Sequence, residues 1–340
     1  MAYISFQPSD FFSTKLFTGN ASAGHAITGV GFQPDMVWLK DRIGTNNHSL
    51  YDSVRGVTKA IRTSTDGVET TTSGVTTFGA DGFTVGDNAM GNAANAMVSW
   101  NWKANGAGSA NTDGNINTTV SVNTTAGFSI VKYTGNASAT ATLGHGLNAV
   151  PKMILLKKLN NATSDWVVYH EAITYANRLK LNTTDASASS PNWRATPTSD
   201  VFNANSSSII NESGDDYIAY CFADVTGYSK FGSYTGNGDG DGPFVYTGFR
   251  PAWVMIKSTT SAEGWFIYDN KRLGYNPDNN YIYADDAAAE GTADNIDILS
   301  NGFKVIRNSS AFNASGVVFT YAAFAEFPIV SSNNIPGVSR

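Results

Sequence analysis

Short apolar runs recur along the whole chain, each about four to eight residues long, and glycine, asparagine or proline separates them. Within the runs apolar and polar side chains alternate, and threonine, valine, tyrosine and phenylalanine are frequent. Alternation with a period of two is typical of strands that bury one face. Residues 171–179 allow one or two helical turns, which the β-branched Ile173 and Thr174 disfavour. The pattern predicts an all-β protein.

Three copies of one series of motifs divide the chain. Each copy begins with an aromatic residue followed by Thr-Gly-Asn, at 17–20, 133–136 and 234–237. A glycine, a proline and an apolar run ending in lysine come next, in GFQPDMVWLK, GLNAVPKMILLK and GFRPAWVMIK. The proline follows the glycine of the TGN motif by 15, 16 and 15 residues. This near-constant spacing identifies the three segments as internal repeats.

Each copy then carries a tyrosine and a closing apolar run. The tyrosines are Tyr51, Tyr169 and Tyr268, and we expect them at equivalent positions of three similar folds. The closing runs are AMVSWNWKA, DYIAYCFAD and VFTYAAFAE. Upstream of the outer two, Asp81-Gly82 and Asn301-Gly302 predict hairpin turns, because these dipeptides tolerate positive φ.

Each copy has about a hundred residues and mostly antiparallel strands. This suits a jelly-roll-like β-sandwich, since two sheets must each bury one face. The sequence therefore predicts three tandem β-sandwich repeats in a row. The expected boundaries are repeat 1 at 1–105, a Gly/Asn/Ser/Thr-rich linker at 106–125, repeat 2 at 126–226, repeat 3 at 227–327 and a C-terminal tail at 328–340.

Composition narrows the class of partner. Lys and Arg total 22 against 28 Asp and Glu, and the net charge of -6 argues against binding nucleic acid or an anionic membrane surface. No apolar stretch approaches the roughly eighteen residues of a membrane span, so no membrane insertion is expected. The first thirty residues carry no secretory signal. The single cysteine, Cys221, is expected to be a small core residue.

One loop resembles the start of a calcium site. Asn237, Asp239 and Asp241 alternate with glycine in GNGDGDG, but the twelfth residue of the loop, counted from Asn237 as the first, is Gly248, where a calcium loop needs glutamate. A surface turn is the favoured interpretation, and ion binding stays open. No metal site and no cofactor are predicted.

His170 and Glu171 are adjacent and could suggest an acid–base pair. Neighbouring side chains of a strand point to opposite faces, so the two would not readily share a substrate. The other copies carry Asp52-Ser53 and Asp269-Asn270 there. Motifs for acyl transfer, phosphoryl transfer and dinucleotide binding are absent from the sequence. Glycoside hydrolysis leaves no linear motif and stays open. No catalytic residue is predicted.

Surface contacts are expected on the loops that differ between the copies, because the recurring residues serve folding. The candidates are Ser22, Ser138 and Asp239, which follow the three TGN motifs. Trp193 is a fourth, since it has no counterpart in the other copies and lies among turn-forming residues. A loop anchored by its own tryptophan is nevertheless the favoured interpretation of Trp193.

The segments GFQPDMVWLKDR, HSLYDSVRG, YIAYCFADVTGYSKFGSYTGN, GPFVYTGFRPAWVMIK and AAFAEFP, in this order, resemble a known family. It is a repeated domain of unknown function found in structural and tail-region genes of marine and other bacteriophages, and the resemblance runs from about Phe6 to Pro328. It implies a virion component and transfers no site residues.

The resemblance and the composition together lead to a functional expectation. The chain is expected to be a non-enzymatic bacteriophage virion protein, made in the host cytoplasm, that serves as a tail fibre or tail appendage in host attachment. A capsid decoration protein is the first alternative. A tail-spike enzyme that degrades polysaccharide is the second alternative and ranks below it. Expected partners are other virion proteins, a host surface glycan and further copies of the chain, because open sheet edges favour symmetric association. A trimer is the first expectation.

Overall fold

The computed structural model describes residues 6–190, 192–273 and 276–327. The protein is all-β and consists of three sandwich units, each with one large and one small antiparallel sheet. This confirms the fold class that the alternating pattern predicts. Single helical turns are the only helices of the described residues, and two 3-10 turns occur at Pro8–Asp10 and Glu171–Ile173. The tail predicted at 328–340 lies outside the described residues.

The first unit contains nine strands and one helical turn. They are β1 (Phe12–Thr18), β2 (His25–Thr28), β3 (Met36–Asp41), β4 (Ser49–Asp52), β5 (Gly56–Ile61), β6 (Thr70–Thr71), β7 (Val75–Gly79), β8 (Gly82–Val85), α1 (Ala89–Asn92) and β9 (Ala96–Trp102). The large sheet has the order β1-β9-β3-β4-β5-β6 and the small sheet the order β2-β8-β7.

The second unit contains ten strands. They are β10 (Ser109–Asn111), β11 (Thr118–Asn123), β12 (Phe128–Thr134), β13 (Ala141–Gly144), β14 (Met153–Lys158), β15 (Val167–His170), β16 (Asn177–Lys180), β17 (Ala188–Ser189), β18 (Val201–Ala204) and β19 (Asp216–Phe222), with α2 (Ser208–Asn211) before β19. The large sheet has the order β10-β11-β12-β19-β14-β15-β16-β17, and β13 pairs with β18. The segment predicted as a linker thus contains β10 and β11, which extend this sheet. The stretch 171–179 forms a 3-10 turn and the start of β16.

The third unit repeats the topology of the first. Its elements are β20 (Ser229–Thr235), β21 (Phe244–Tyr246), β22 (Pro251–Ser258), β23 (Phe266–Asp269), β24 (Asn279–Tyr283), β25 (Gly291–Ala293), β26 (Ile296–Leu299), β27 (Gly302–Val305), α3 (Ser310–Asn313) and β28 (Val318–Ala325). The large sheet has the order β20-β28-β22-β23-β24-β25 and the small sheet the order β21-β27-β26.

Strand register confirms that the motifs are structural repeats. Tyr51 pairs with Val37, Tyr169 with Ile154 and Tyr268 with Val254, so the three tyrosines occupy one position of the large sheets. The predicted hairpins are also present, because Gly82 and Gly302 each begin the second strand of a β-hairpin.

The three large sheets enclose one shared core. Three pseudo-equivalent aromatic residues at the ends of the closing strands, Trp102, Phe222 and Phe324, contact one another with ring centroids 5.6 to 6.5 Å apart. A continuous buried cluster joins residues of all three units around them. Each large sheet packs its other face against its own small sheet. The units therefore form a closed ring with pseudo-threefold symmetry, whereas the sequence predicted three sandwiches in a row.

Candidate functional site

Buried hydrogen bonds connect the units at equivalent positions. The end of the fourth large-sheet strand carries Asp52 in unit 1 and Asp269 in unit 3. Tyr220 of unit 2 donates its hydroxyl to Asp52 over 2.6 Å. Trp100 of unit 1 donates its indole N–H to Asp269 over 3.0 Å. Tyr220 and Trp100 occupy the same register position of their closing strands, so these are two copies of one junction.

Each of these carboxylates also binds an arginine three residues later. The distance from Arg55 Nε to Asp52 is 2.5 Å and that from Arg272 Nε to Asp269 is 2.6 Å. Both guanidinium groups are buried and extend to a second carboxylate, Glu69 or Glu290, at 3.1 and 3.0 Å. The buried charges are thus paired and hydrogen-bonded, as burial requires.

The third junction uses different chemistry. His170 takes the place of the aspartate, and its Nε2 lies 3.2 Å from the carbonyl oxygen of Tyr321 in unit 3. Its Nδ1 accepts the backbone N–H of Ala172, so Nε2 carries the proton. Ile173 stands where the other units have arginine, and Ala322 where they have the aromatic donor. Burial lowers the pKa of His170 to about 4, and the neutral ring acts as a structural link.

The lysine that ends each repeated apolar run also crosses a junction. Lys40, Lys157 and Lys257 are completely buried. Each donates from Nζ to a backbone carbonyl of a neighbouring unit, that of Ala287, Asp66 or Thr184, over 3.0 to 3.1 Å. Burial lowers the pKa of all three to about 8.

A third series of hydrogen bonds between units involves the residues that stand directly before β4, β15 and β23. Trp166 donates its indole N–H to the carbonyl of Arg62, and Trp265 donates to that of Lys180, both over 2.8 Å. His48 holds the same place in unit 1 and reaches the carbonyl of Tyr283 at 2.9 Å. The imidazole of His48 is fixed from its other side, where Nδ1 accepts from Trp38. Burial lowers the pKa of His48 well below its usual value, so the ring is neutral.

The TGN motifs form closely packed turns at the ends of the first strands. A side chain at Gly19, Gly135 or Gly236 would place its Cβ within 2.3 Å of a backbone oxygen that follows the helical turn. The backbone N–H of the asparagine in each motif donates over 2.9 Å to the side-chain oxygen of a buried asparagine that ends the helical turn. These buried residues are Asn92, Asn211 and Asn313. The motif therefore fixes the turn in all three units.

The three predicted loop contacts occupy one position in these turns. Ser22, Ser138 and Asp239 each donate a backbone N–H to the side chain of the TGN asparagine, over 2.9 to 3.0 Å. Ser22 and Asp239 are exposed and Ser138 is half-buried. The same hydrogen bond forms in all three turns, and the side chain at this position is serine in units 1 and 2 and aspartate in unit 3.

The calcium-like loop uses its oxygen atoms internally. Asp239 accepts the backbone N–H of Asp241, and Asp241 forms an ion pair with Lys304 at 2.5 Å. The side-chain oxygen of Asn237 accepts from Asp239. Within the described residues, no group of three or more histidine, cysteine or acidic side chains could hold a metal ion.

Trp193 does not lie on the surface, which corrects its prediction as a contact residue. It is 3% exposed and packs against Tyr169 and Phe202 with centroids 5.9 and 6.3 Å apart. A bridge to Ala204 places Trp193 beside β18, where the other units have a third small-sheet strand. The tryptophan therefore anchors its own loop, as the favoured interpretation states.

One family model matches residues 7–328, that of a domain of unknown function, DUF7483. The chain belongs to the DUF7483 family. A single match across all three units agrees with their shared core. No curated protein and no solved structure matches the chain. No helix of the described residues is long and apolar enough to cross a membrane.

One exposed feature of this DUF7483 chain is not among the residues predicted from the sequence. Phe244 and Tyr246 on β21 are 47% and 64% exposed, and both lie on the outer face of the small sheet of unit 3. The turn of Asp239 and Asp241 adjoins them through Lys304, which pairs with Phe244 across the strands. Their signal in the sequence is the difference from copies one and two, which carry Ala26 and Thr28 or Thr142 and Gly144 at this register.

Proposed function

We propose that the chain is a non-catalytic structural protein of a bacteriophage particle, a tail fibre tip or tail appendage with a role in host attachment. The observation that carries the proposal is the ring closure. The buried ionisable groups of the shared interface bind units to one another, and the loops after the TGN motifs begin alike in units 1 and 2, as Ala-Ser-Ala, and differ in unit 3, as Gly-Asp-Gly. A rigid body that presents variable loops suits adhesion. The resemblance to a family found in phage structural genes supports the proposal that the protein is part of the phage particle.

The chemistry at His170 supports a non-catalytic role. His170 is 1% exposed, and both ring nitrogens have hydrogen-bond partners. Its neighbour Glu171 forms an ion pair with Lys152 at 2.5 Å on the surface. A general base must reach a substrate proton, and His170 faces a neighbouring unit instead.

A capsid decoration protein is the second candidate, and the pseudo-threefold ring favours it. A body with three similar faces can be seated on a threefold lattice position as a single copy. For either role we propose that copies associate, with a trimer as first choice. In the described residues β1 and β20 are unpaired on one edge, whereas β11 covers the equivalent edge of β12. Open edges are sites for strand pairing between chains.

Gold-labelled antibodies against the chain, applied to intact phage particles, test the proposal. Label on the tail supports the appendage, label on the head supports decoration, and purified particles without the protein overturn both. Light scattering of the isolated chain reports association, and a monomer in solution and in particles rejects the trimer. Shortening of host polysaccharide by the purified protein would establish the tail-spike enzyme and contradict a non-catalytic role.

A further inference from the structure

The outer face of the small sheet of unit 3 differs from its two counterparts. Phe244 and Tyr246 alternate with the buried Val245 on an edge strand, so the two rings lie on one face. Two residues of extended strand span about 6.6 Å, which places the rings side by side. Unit 1 has Ala26 and Thr28 at these positions. Isolated exposed apolar residues are ordinary, but adjacent exposed aromatic rings form a patch.

The patch is shallow because a glycine lies beneath it. Gly302 pairs with Tyr246 across the strands and has no side chain on the outer face. The edge of the Phe244 ring lies 3.1 Å from where a Cβ of Gly302 would be. The edge of the phenylalanine ring therefore lies beside the glycine, and 47% of the residue stays exposed to solvent. Exposed aromatic rings can stack on apolar ring surfaces of a ligand.

Polar groups border the two rings. Lys304 pairs with Phe244 on one side and with Asp297 on the other, so the three form a row across the sheet. The Nζ of Lys304 is bonded to Asp241, which is 85% exposed. One carboxylate oxygen of Asp297 is buried and has no hydrogen-bond partner within the described residues. The row offers both donors and acceptors beside an apolar platform.

The charges select among saccharides. Asp297 is close enough to the exposed Asp294 for their repulsion to raise the pKa of Asp297 further, after the larger effect of burial. Asp241 and Asp297 thus border the patch and face one cation, Lys304, and Asp294 adds a third negative charge near Asp297. An acidic polymer would be repelled here, whereas hydroxyl groups of an uncharged sugar can bond to both signs of charge.

We infer that Phe244 and Tyr246, with Lys304, Asp241 and Asp297 at their border, form a binding site for an uncharged pyranose ring of a surface glycan. The inference rests on the proposed role in attachment and names its ligand class. Stacking on the aromatic faces supplies the apolar contact, and the charged row bonds the sugar hydroxyls. Unit 3 alone carries this pair of rings among the described small-sheet faces.

The test uses the full chain on an array of uncharged hexose and N-acetylhexosamine oligosaccharides, with uronic-acid oligosaccharides as the acidic arm. The exchange variant Phe244→Ala/Tyr246→Thr gives unit 3 the residues of unit 1, so its thermal transition should match that of the parent chain. We expect the parent to bind uncharged sugars and the exchange variant to lose at least about tenfold in affinity. Tyr246→Trp, which keeps a stacking face, should retain binding. Ile43→Ala, at another exposed apolar residue (64%), should leave it unchanged.

Three results would overturn the inference. They are no uncharged sugar bound by the parent chain, selective binding of the acidic arm, and equal binding by the exchange variant. If the exchange variant fails to enter phage particles while the parent binds no sugar, the patch contacts a virion protein instead. Particle labelling decides the proposed function separately, because sugar binding by a protein absent from particles would reject the particle role and keep the site.

Discussion

Trp100 and Asp269 lie 169 positions apart in the chain, and the indole N–H of the first donates to the buried carboxylate of the second over 3.0 Å. This bond joins the first unit to the last and closes the ring. The guanidinium of Arg272 lies 5.6 Å from the Trp100 ring and binds the same carboxylate. The closing junction therefore combines a charge-assisted hydrogen bond with a cation–π contact.

Removing the indole N–H should weaken this junction. Trp100→Phe leaves one hydrogen-bonding position of the buried Asp269 unfilled, and we expect the free energy of unfolding to fall by about 2 kcal/mol. Trp102→Phe is a matched control on the same strand, because the Trp102 N–H has no partner in the described structure and units 2 and 3 carry phenylalanine there. Urea denaturation measures both variants. Equal losses would show that the hydrogen bond contributes nothing.

The junction at His170, which lacks the aspartate and arginine of the other two, allows a second test of their equivalence. His170→Asp would place a carboxylate at 1% exposure without the arginine and aromatic donor that units 1 and 3 provide. An unpaired buried charge costs several kcal/mol, so we expect a loss of about 3 kcal/mol in the free energy of unfolding. Adding Ile173→Arg should recover part of it by rebuilding the pair seen at Asp52 and Arg55. Failure of the double variant to recover would contradict the equivalence of the three junctions.

The sequence predicted what local spacing encodes. Tyr51, Tyr169 and Tyr268 share a register because constant spacing within each repeat sets strand pairing. Ring closure was not predictable in this way. Its bonds join residues such as Tyr220 and Asp52, 168 positions apart, and their partners change from indole to phenol to backbone between junctions. The lysines that end the apolar runs recur visibly, but only the structure shows that they cross between units.

For the candidate site, the sequence did not predict which of these residues are buried and which are exposed. Trp193 has no counterpart in the sequence because it replaces a strand, so its uniqueness indicated a missing core element and not a surface contact. Phe244 and Tyr246 read as an ordinary strand pattern, since alternation does not tell which face is buried. Their exposure depends on the small sheet, whose third strand β26 lies fifty residues further along the chain.

Alanine substitutions of Trp193 and Asp239 should have very different effects on the free energy of unfolding. Trp193→Ala removes a buried ring from the core of unit 2, and we expect a loss of about 3 to 5 kcal/mol in the free energy of unfolding. Asp239→Ala changes an exposed turn side chain that bonds only locally, so the loss should stay below about 1 kcal/mol. Differential scanning calorimetry measures both. A thermal transition of Trp193→Ala equal to that of the parent would contradict its structural role.

The three buried lysines predict an unusual rise of stability with pH. Each has a folded pKa of about 8 against 10.5 when unfolded, so the unfolded chain binds more protons between these values. Stability then increases with pH, by up to about 1.4 kcal/mol per pH unit for each lysine, and the cost of burying the charge is fully present only below pH 8. Cys221 opposes the trend above about pH 9, because burial raises its pKa. The single variants Lys40→Met, Lys157→Met and Lys257→Met isolate each contribution. In urea denaturation at pH 7.5, 8.5 and 9.5, each variant should show a smaller rise than the parent, whatever its absolute stability. A rise identical to that of the parent in all three variants would mean that these lysines do not lose their protons in the folded protein.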